Sequence, residues 1–152
     1  MLAIPSKLAD KQPEWSAALK HYVKINYNKS LAHAHAQAFN TVDAHRRDAA
    51  PQAQPTVPRA PALVGAIRRY EHLLAAIEGR FDVSQLQIGF AWRDAFKPYV
   101  KQTEADTSFE RVALRFNLAA LLSFSAINQN RNDADGIRES ARLFQQAAGL
   151  LR

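Results

Sequence analysis

The chain has 152 residues, 47% of them apolar and 22% charged, a balance that suits one globular domain able to hide about 68–70% of its unfolded surface. With no cysteine, disulfides and thiolate zinc sites are excluded, and a reducing compartment fits. A formal charge of +6 raises anionic partners, while five glycines and few β-branched runs favour helix.

The opening MLAIPSKLADK lacks the charged start and long apolar stretch of a signal peptide. Its Leu2 and Ile4 make a short apolar segment near residues 2–6, expected as an edge strand closed by Pro5. A helix over about 13–26 follows, with Pro13 in its first turn and Trp15, Ala18, Leu19, Tyr22 and Val23 at 3–4 spacing. Ser30 is a candidate cap for a second helix over about 31–48, with Ala32, Ala36 and Phe39 on one side. Pro51, Pro55, Pro58 and Pro61 then predict an extended connector over 51–61 in which no helix survives. Its proline-rich character also admits a docking motif, although simple spacing explains it.

A third helix over about 62–78 carries Leu63, Ala66, Ile67, Tyr70, Leu73, Leu74 and Ile77, and Gly79 stops it. The period then changes to two. Ile88, Phe90 and Trp92 alternate with Gln87, Gly89 and Ala91, predicting a strand over 87–92 with one buried face. Its partner is the N-terminal segment or a hairpin mate near Tyr99 and Val100.

Thr107 and Glu110 have capping-box spacing and open a fourth helix over about 108–128. Phe109, Val112, Ala113, Phe116, Ala119, Ala120, Phe124 and Ile127 form one apolar face, and Leu114, Leu118, Leu121 and Leu122 another, so the helix is expected to be buried. Residues 128–132 turn the chain, and Asp133 caps a fifth helix over about 133–151. There Ile137, Ala141, Phe144, Ala148 and Leu151 repeat the 3–4 spacing. These last two helices form an antiparallel hairpin, the unit of tetratricopeptide-like solenoids. The fold class is therefore mainly α, with tetratricopeptide-like helical hairpins and a small N-terminal β element. The last helix carries no closing glycine and no polar cap, which predicts a domain cut short. Each Leu or Phe left uncovered there forgoes roughly 1.5–3 kcal/mol of burial, so self-association or marginal folding is expected.

Catalytic groupings are absent from the sequence, and an enzyme is not expected. His33 and His35 stand two apart, in divergent directions on a helix, and cannot share a metal there. His21, His45 and His72 have no carboxylate at a recognised spacing. Asn130, Asn132, Asp133 and Asp135 echo a calcium loop but lack its closing bidentate Glu, so capping explains them. Glu78 and Asp82 read as loop-edge charges. Ser123 and Ser125 lack a base, and no phosphate-cradling glycine loop occurs. The densest basic groups, His45-Arg46-Arg47 and Arg68-Arg69, have no interleaved aromatics and read as solvated helix faces, so no nucleic-acid partner, metal or cofactor is expected. The longest apolar region, residues 112–127, is broken by Arg115 and Asn117 and is shorter than a bilayer span, predicting a soluble, intracellular chain.

Five stretches in order resemble the first part of the Bro-one-type domain of Alix-like adaptors: the opening Leu2-Ala3-Ile4-Pro5, RRYEHLLAAIEGRF at 68–81, FAWRDAF at 90–96, FERVALRFNLAALLS at 109–123 and DGIRESARLFQQAAG at 135–149. The resemblance covers nearly the whole chain and less than half of the family's domain. It implies a truncated Bro-one-type domain with an adaptor role in endosomal sorting and multivesicular body formation. The partner it implies is the C-terminal amphipathic helix of Snf-seven/CHMP-four-type ESCRT-III subunits, and the location is cytoplasmic, peripheral to endosomes. Carried onto this sequence, Arg138 matches the family's basic residue after the Gly-apolar pair. Arg142, one turn on, adds a second contact, and Ile137 adds apolar area. Residues 97–107 lack the Leu-Phe-Gly-Gly loop of Alix, so that loop's kinase-docking role is not carried over. A helical-repeat fragment with no partner site, and a basic nucleic-acid-binding module, are the alternative readings.

Overall fold

A computed structural model describes residues 3–152. Nine elements follow in chain order: β1 (Ala9–Lys11), α1 (Trp15–Asn26), α2 (Lys29–Ala34), α3 (Ala36–Ala49), α4 (Ala60–Glu78), β2 (Phe90–Arg93), β3 (Lys101–Glu104), α5 (Thr107–Ile127) and α6 (Ala134–Leu150). The helices pack serially, α1 on α3, α3 on α4, α4 on α5 and α5 on α6, and the sheet lies against α5 through β2. One apolar cluster runs through them, from Trp15 and Leu19 past Ile67 and Leu74 to Leu114, Leu121 and Leu143.

The edge strand expected at residues 2–6 is displaced. Leu2 lies outside the described residues, residues 3–8 are irregular, and the strand is β1. Pro5 has no N–H for a ladder. The backbone just beyond it is satisfied by side-chain amides instead. Ser6 N–H donates to Gln54 Oε1 at 2.9 Å while Gln54 Nε2 donates to Ser6 O at 3.0 Å. Lys7 is held the same way by Asn117, at 2.7 and 2.9 Å. Asn117 is fully buried within α5, so it clamps the N-terminal segment to the centre of the fold.

The helix expected over 31–48 is two helices, broken at His35, and the cap is Asn28 rather than Ser30: its side chain accepts from Leu31 N–H at 2.7 Å. Alanine-rich sequence has no propensity reason to break there. Tertiary packing sets the break, because α2 packs chiefly on α1 while α3 reaches both α1 and α4. In the connector, the extended path ends at residue 56. Pro58 sits in a 3-10 turn (Val57–Arg59) and Pro61 in the first turn of α4. Proline in a first turn lacks only an N–H that has no helical partner anyway, so these two start helical structure rather than prevent it.

The sheet has order β1-β2-β3, all antiparallel, so β2 pairs on both sides. The central strand begins at Phe90 rather than 87, after Gln87 at φ 50. Its register places Phe90 opposite Glu104 and Trp92 opposite Gln102. Ala91 is buried along with Phe90 and Trp92, so the strand does not have the single buried face its alternation predicts. Tyr99 and Val100 are exposed in the turn, and the hairpin mate starts at Lys101. That turn is fixed by Asp94, whose carboxylate accepts from Phe96 and Lys97 N–H at 2.9 and 2.8 Å, which lowers its pKa, the Lys97 bond contributing most.

The expected capping box at Thr107 does not form. Asp106 is the N-cap, accepting from Ser108 N–H at 2.8 Å, and Glu110 turns into the core. Leu114, Leu118, Leu121 and Leu122 are buried as expected, but Val112 is 64% exposed and Phe109, Phe116 and Phe124 are half-buried. Asp133 caps α6, accepting from Gly136 N–H at 2.7 Å. A Cβ on Gly136 would stand 1.5 Å from Asn130 O, so only glycine lets the turn close this tightly.

Candidate functional site

Helix α6 packs on α5 through Ser140, Leu143 and Ala147, and Ser140 Oγ donates to Ala126 O at 2.9 Å. The stripe read from the sequence is the neighbouring face. Ile137 is 55% and Leu151 51% exposed, Ala141 and Ala148 are exposed, and Phe144 is half-buried. At 3.6 residues per turn, Arg138 and Arg142 run beside that stripe. Each is tied to its own helix: Arg138 Nη2 donates to Asp135 Oδ1 and Arg142 Nη2 to Glu139 Oε1, both at 2.6 Å. The Arg142 hydrogen bond holds the Glu139 carboxyl below its ordinary pKa and raises that of Arg142. Exposed i,i+3 pairs of this kind hold their partners weakly, so either guanidinium can turn to another carboxylate at little cost. The structure thus brings Ile137, Arg138 and Arg142 onto one accessible helix surface: an apolar stripe with a cationic edge.

The basic run His45-Arg46-Arg47 is not a solvated face throughout. Arg46 is fully buried, and its Nε donates to Glu110 Oε1 at 2.9 Å and its Nη1 to Gln12 Oε1 at 2.6 Å. Trp92 Nε1 donates to Glu110 Oε2 at 2.6 Å, and the Arg46 guanidinium lies 5.3 Å from the Trp92 ring centroid. Alongside, Trp15 Nε1 donates to Tyr70 OH at 2.9 Å. Burial, and then the Glu110 carboxylate, push the Tyr70 phenol well above its ordinary pKa of 10.0. This network joins α1, α3, α4, β2 and α5. The neighbours of Arg46 in sequence are polar, so local pattern gives a solvated face, although Arg46 falls in step with Phe39, Val42 and Ala49 on the buried side of α3. The available signals were that spacing and Glu110, a lone acid in the first turn of an apolar helix.

The other polar residues noted in the sequence have local roles. Glu78 pairs with Arg111, Asp82 accepts from Ser84 and Gln85, and Asn130 bonds to Asp133 in the turn before α6. His33 and His35 are exposed, and among the described residues no three His, Cys, Asp or Glu side chains are grouped to hold a metal. Among the same residues, no helix is long and apolar enough to cross a membrane.

Serially packed helices, a small flanking sheet and an accessible helix surface define a helical scaffold. A family model described as the BRO1-like domain matches residues 1–152, and the chain belongs to that family. It is 28% identical over 152 residues to ALG-2 interacting protein X of Dictyostelium discoideum, covering 99% of this chain and 18% of the relative. It is 30% identical over 154 residues to Apoptosis-linked gene 2-interacting protein X 1 of Caenorhabditis elegans, covering 89% and 18%. Vacuolar protein-sorting protein bro1 of Emericella nidulans is 28% identical over 152 residues, covering 99% and 14%. The chain therefore spans less than a fifth of the length of these relatives. Its fold superposes on a solved structure described as the ALIX BRO1 CHMP4C complex with TM-score 0.82 at 24% identity, over 99% of this chain and 44% of the other.

Proposed function

We propose that this chain is a non-enzymatic adaptor module of endosomal sorting, in which α6 receives the amphipathic C-terminal helix of an ESCRT-III subunit. The observation that carries the reading is the surface of α6: an uncovered stripe through Ile137, Ala141, Ala148 and Leu151, edged by the exposed guanidiniums of Arg138 and Arg142. An incoming amphipathic helix would lay its apolar anchors on the stripe and offer acidic side chains to the two arginines. Family membership, relatives named for vacuolar protein sorting and a similar fold solved with CHMP4C support the choice of partner. The same reading puts the protein in the cytoplasm at the surface of endosomes. Unoccupied, the stripe favours self-association, because apolar area of this kind is stabilised by any complementary cover.

The test is calorimetric titration of a CHMP-four-type C-terminal peptide into the chain. Arg138→Glu, which sets a like charge against the acidic partner, is expected to weaken binding at least tenfold, and Arg142→Ala by about threefold. Equal affinities for wild type and Arg138→Glu would refute the assignment of this surface.

A further inference from the structure

The remaining basic residues are not evenly neutralised. Arg46, Arg93, Arg111, Arg115, Arg138 and Arg142 each have a carboxylate partner, whereas Arg47, Arg59, Arg68, Arg69, Arg80, Arg131 and Arg152 have none among the described residues, and of these Arg47, Arg59 and Arg69 share one place on the surface. These three come from different places in the chain: the end of α3, the turn before α4 and the third turn of α4. They nonetheless line one cavity of about 720 Å³ between the proline-rich connector and α4, in which Asp48 is the only carboxylate. From this arrangement we infer a binding site for a phosphorylated polyol, the chemistry shared by free inositol phosphates and inositol lipid headgroups.

The chemistry of the cavity selects that class. Three guanidiniums against one carboxylate leave a local charge of about +2, and planar guanidinium forks match phosphate oxygens bidentately. The volume lies within the usual range for small-ligand sites, about 300–1,000 Å³. Polar groups suited to hydroxyls stand beside the charges, in Gln52 and Thr56 on the connector. The walls are held in place before any ligand arrives. Gln54 is paired to both backbone groups of Ser6, and Pro51 O accepts from Ala9 N–H at 2.9 Å, so the connector is tied to the sheet side of the fold. On α4, a Cβ at Gly65 would lie 3.2 Å from Arg69 Nη1, so the missing side chain there leaves room for Arg69 to fold back along the helix toward its first turn. The positive end of the α4 dipole adds to the same potential. The site shares no residue with the α6 surface, and the two readings fail separately.

The experiment titrates the chain with inositol trisphosphate by calorimetry, alongside Arg47→Ala, Arg59→Ala, Arg69→Ala, Asp48→Asn and the control Arg68→Ala, an exposed arginine that does not line the cavity. Each of the three cavity variants is expected to weaken binding about tenfold, the worth of a charge-assisted hydrogen bond. Asp48→Asn is expected to tighten binding about threefold and Arg68→Ala to leave it within about twofold. Unchanged thermal melts establish that these exposed substitutions leave the fold intact. Flotation with phosphatidylcholine vesicles, with and without a few mole per cent phosphatidylinositol bisphosphate, distinguishes the sources. Selective capture by the charged vesicles identifies a lipid headgroup, and binding of the soluble ligand alone identifies a free phosphate ester. No measurable binding of the trisphosphate, equal losses in all four arginine variants, or tighter binding of a single-stranded oligonucleotide that depends on the same residues would overturn the inference.

Discussion

Replacing Glu110 with glutamine tests the buried network without creating a cavity, because the two side chains have nearly the same shape. In the wild type the carboxylate accepts from Arg46 Nε at 2.9 Å and from Trp92 Nε1 at 2.6 Å, with no solvent exposure. The amide keeps one acceptor oxygen for one of these donors and leaves the Arg46 cation buried without a counter-charge. Breaking one side of a buried pair costs about 3–5 kcal/mol, and the lower figure applies here because Gln12 Oε1 still accepts from Arg46 at 2.6 Å. Against a total stability of about 5–15 kcal/mol, a loss of about 3 kcal/mol is large. With a urea slope of about 2 kcal/mol/M it moves the unfolding midpoint down by about 1.5 M, readable from fluorescence of the two tryptophans. Adding Arg46→Met removes the stranded cation and keeps a polarisable side chain against the Trp92 ring. The new amide oxygen is then free to accept from the indole, so the double variant is expected within about 1 kcal/mol of wild type. A cost below about 1 kcal/mol for Glu110→Gln, or a double variant as unstable as the two single losses summed, would refute the argument that the charge pair is what the core depends on.

Two further outcomes follow from neighbouring contacts. Asn117→Ala strands the N–H and C=O of Lys7, which the amide now satisfies at 2.7 and 2.9 Å, and is expected to cost about 2–3 kcal/mol. Thermal melts should fall by about 6 °C, and hydrogen exchange at Lys7 should quicken; an unchanged Lys7 exchange rate would show that the clamp is not what orders this segment. Tyr70 makes stability fall in alkali: its phenol titrates higher in the folded chain, so the unfolded state loses that proton first, from about pH 10. Its contribution is full below the unfolded pKa and declines as pH rises through the folded one. Tyr70→Phe should cost about 1 kcal/mol at neutral pH, through the lost acceptor for Trp15, and show a shallower decline above pH 10 in urea midpoints. Parallel declines for both proteins would sink this account.

Period and punctuation made much of the architecture legible in the amino-acid order. The 3–4 spacing of Trp15, Leu19 and Val23 marks α1, Gly79 closes α4, Asp133 caps α6, and the alternation around Trp92 marks the central strand, because each of these signals is local. The apolar stripe of α6 was legible for the same reason, whereas Arg138 and Arg142 beside it were singled out by the family resemblance rather than by any local pattern. What the order of residues left open was which of two adjoining faces of α6 meets α5. Its stripe suited a core equally well, and contact with Ala126 through the small, polar Ser140 decided the matter. The break at His35, the capping of α5 by Asp106 rather than Thr107, and the burial of Arg46 are likewise tertiary outcomes. A charged residue is buried only where a counter-charge waits, and Glu110 lies 64 residues further along the chain. The gathering of Arg47, Arg59 and Arg69 around one cavity was equally beyond local pattern, since only the path of the connector back across α4 brings them together.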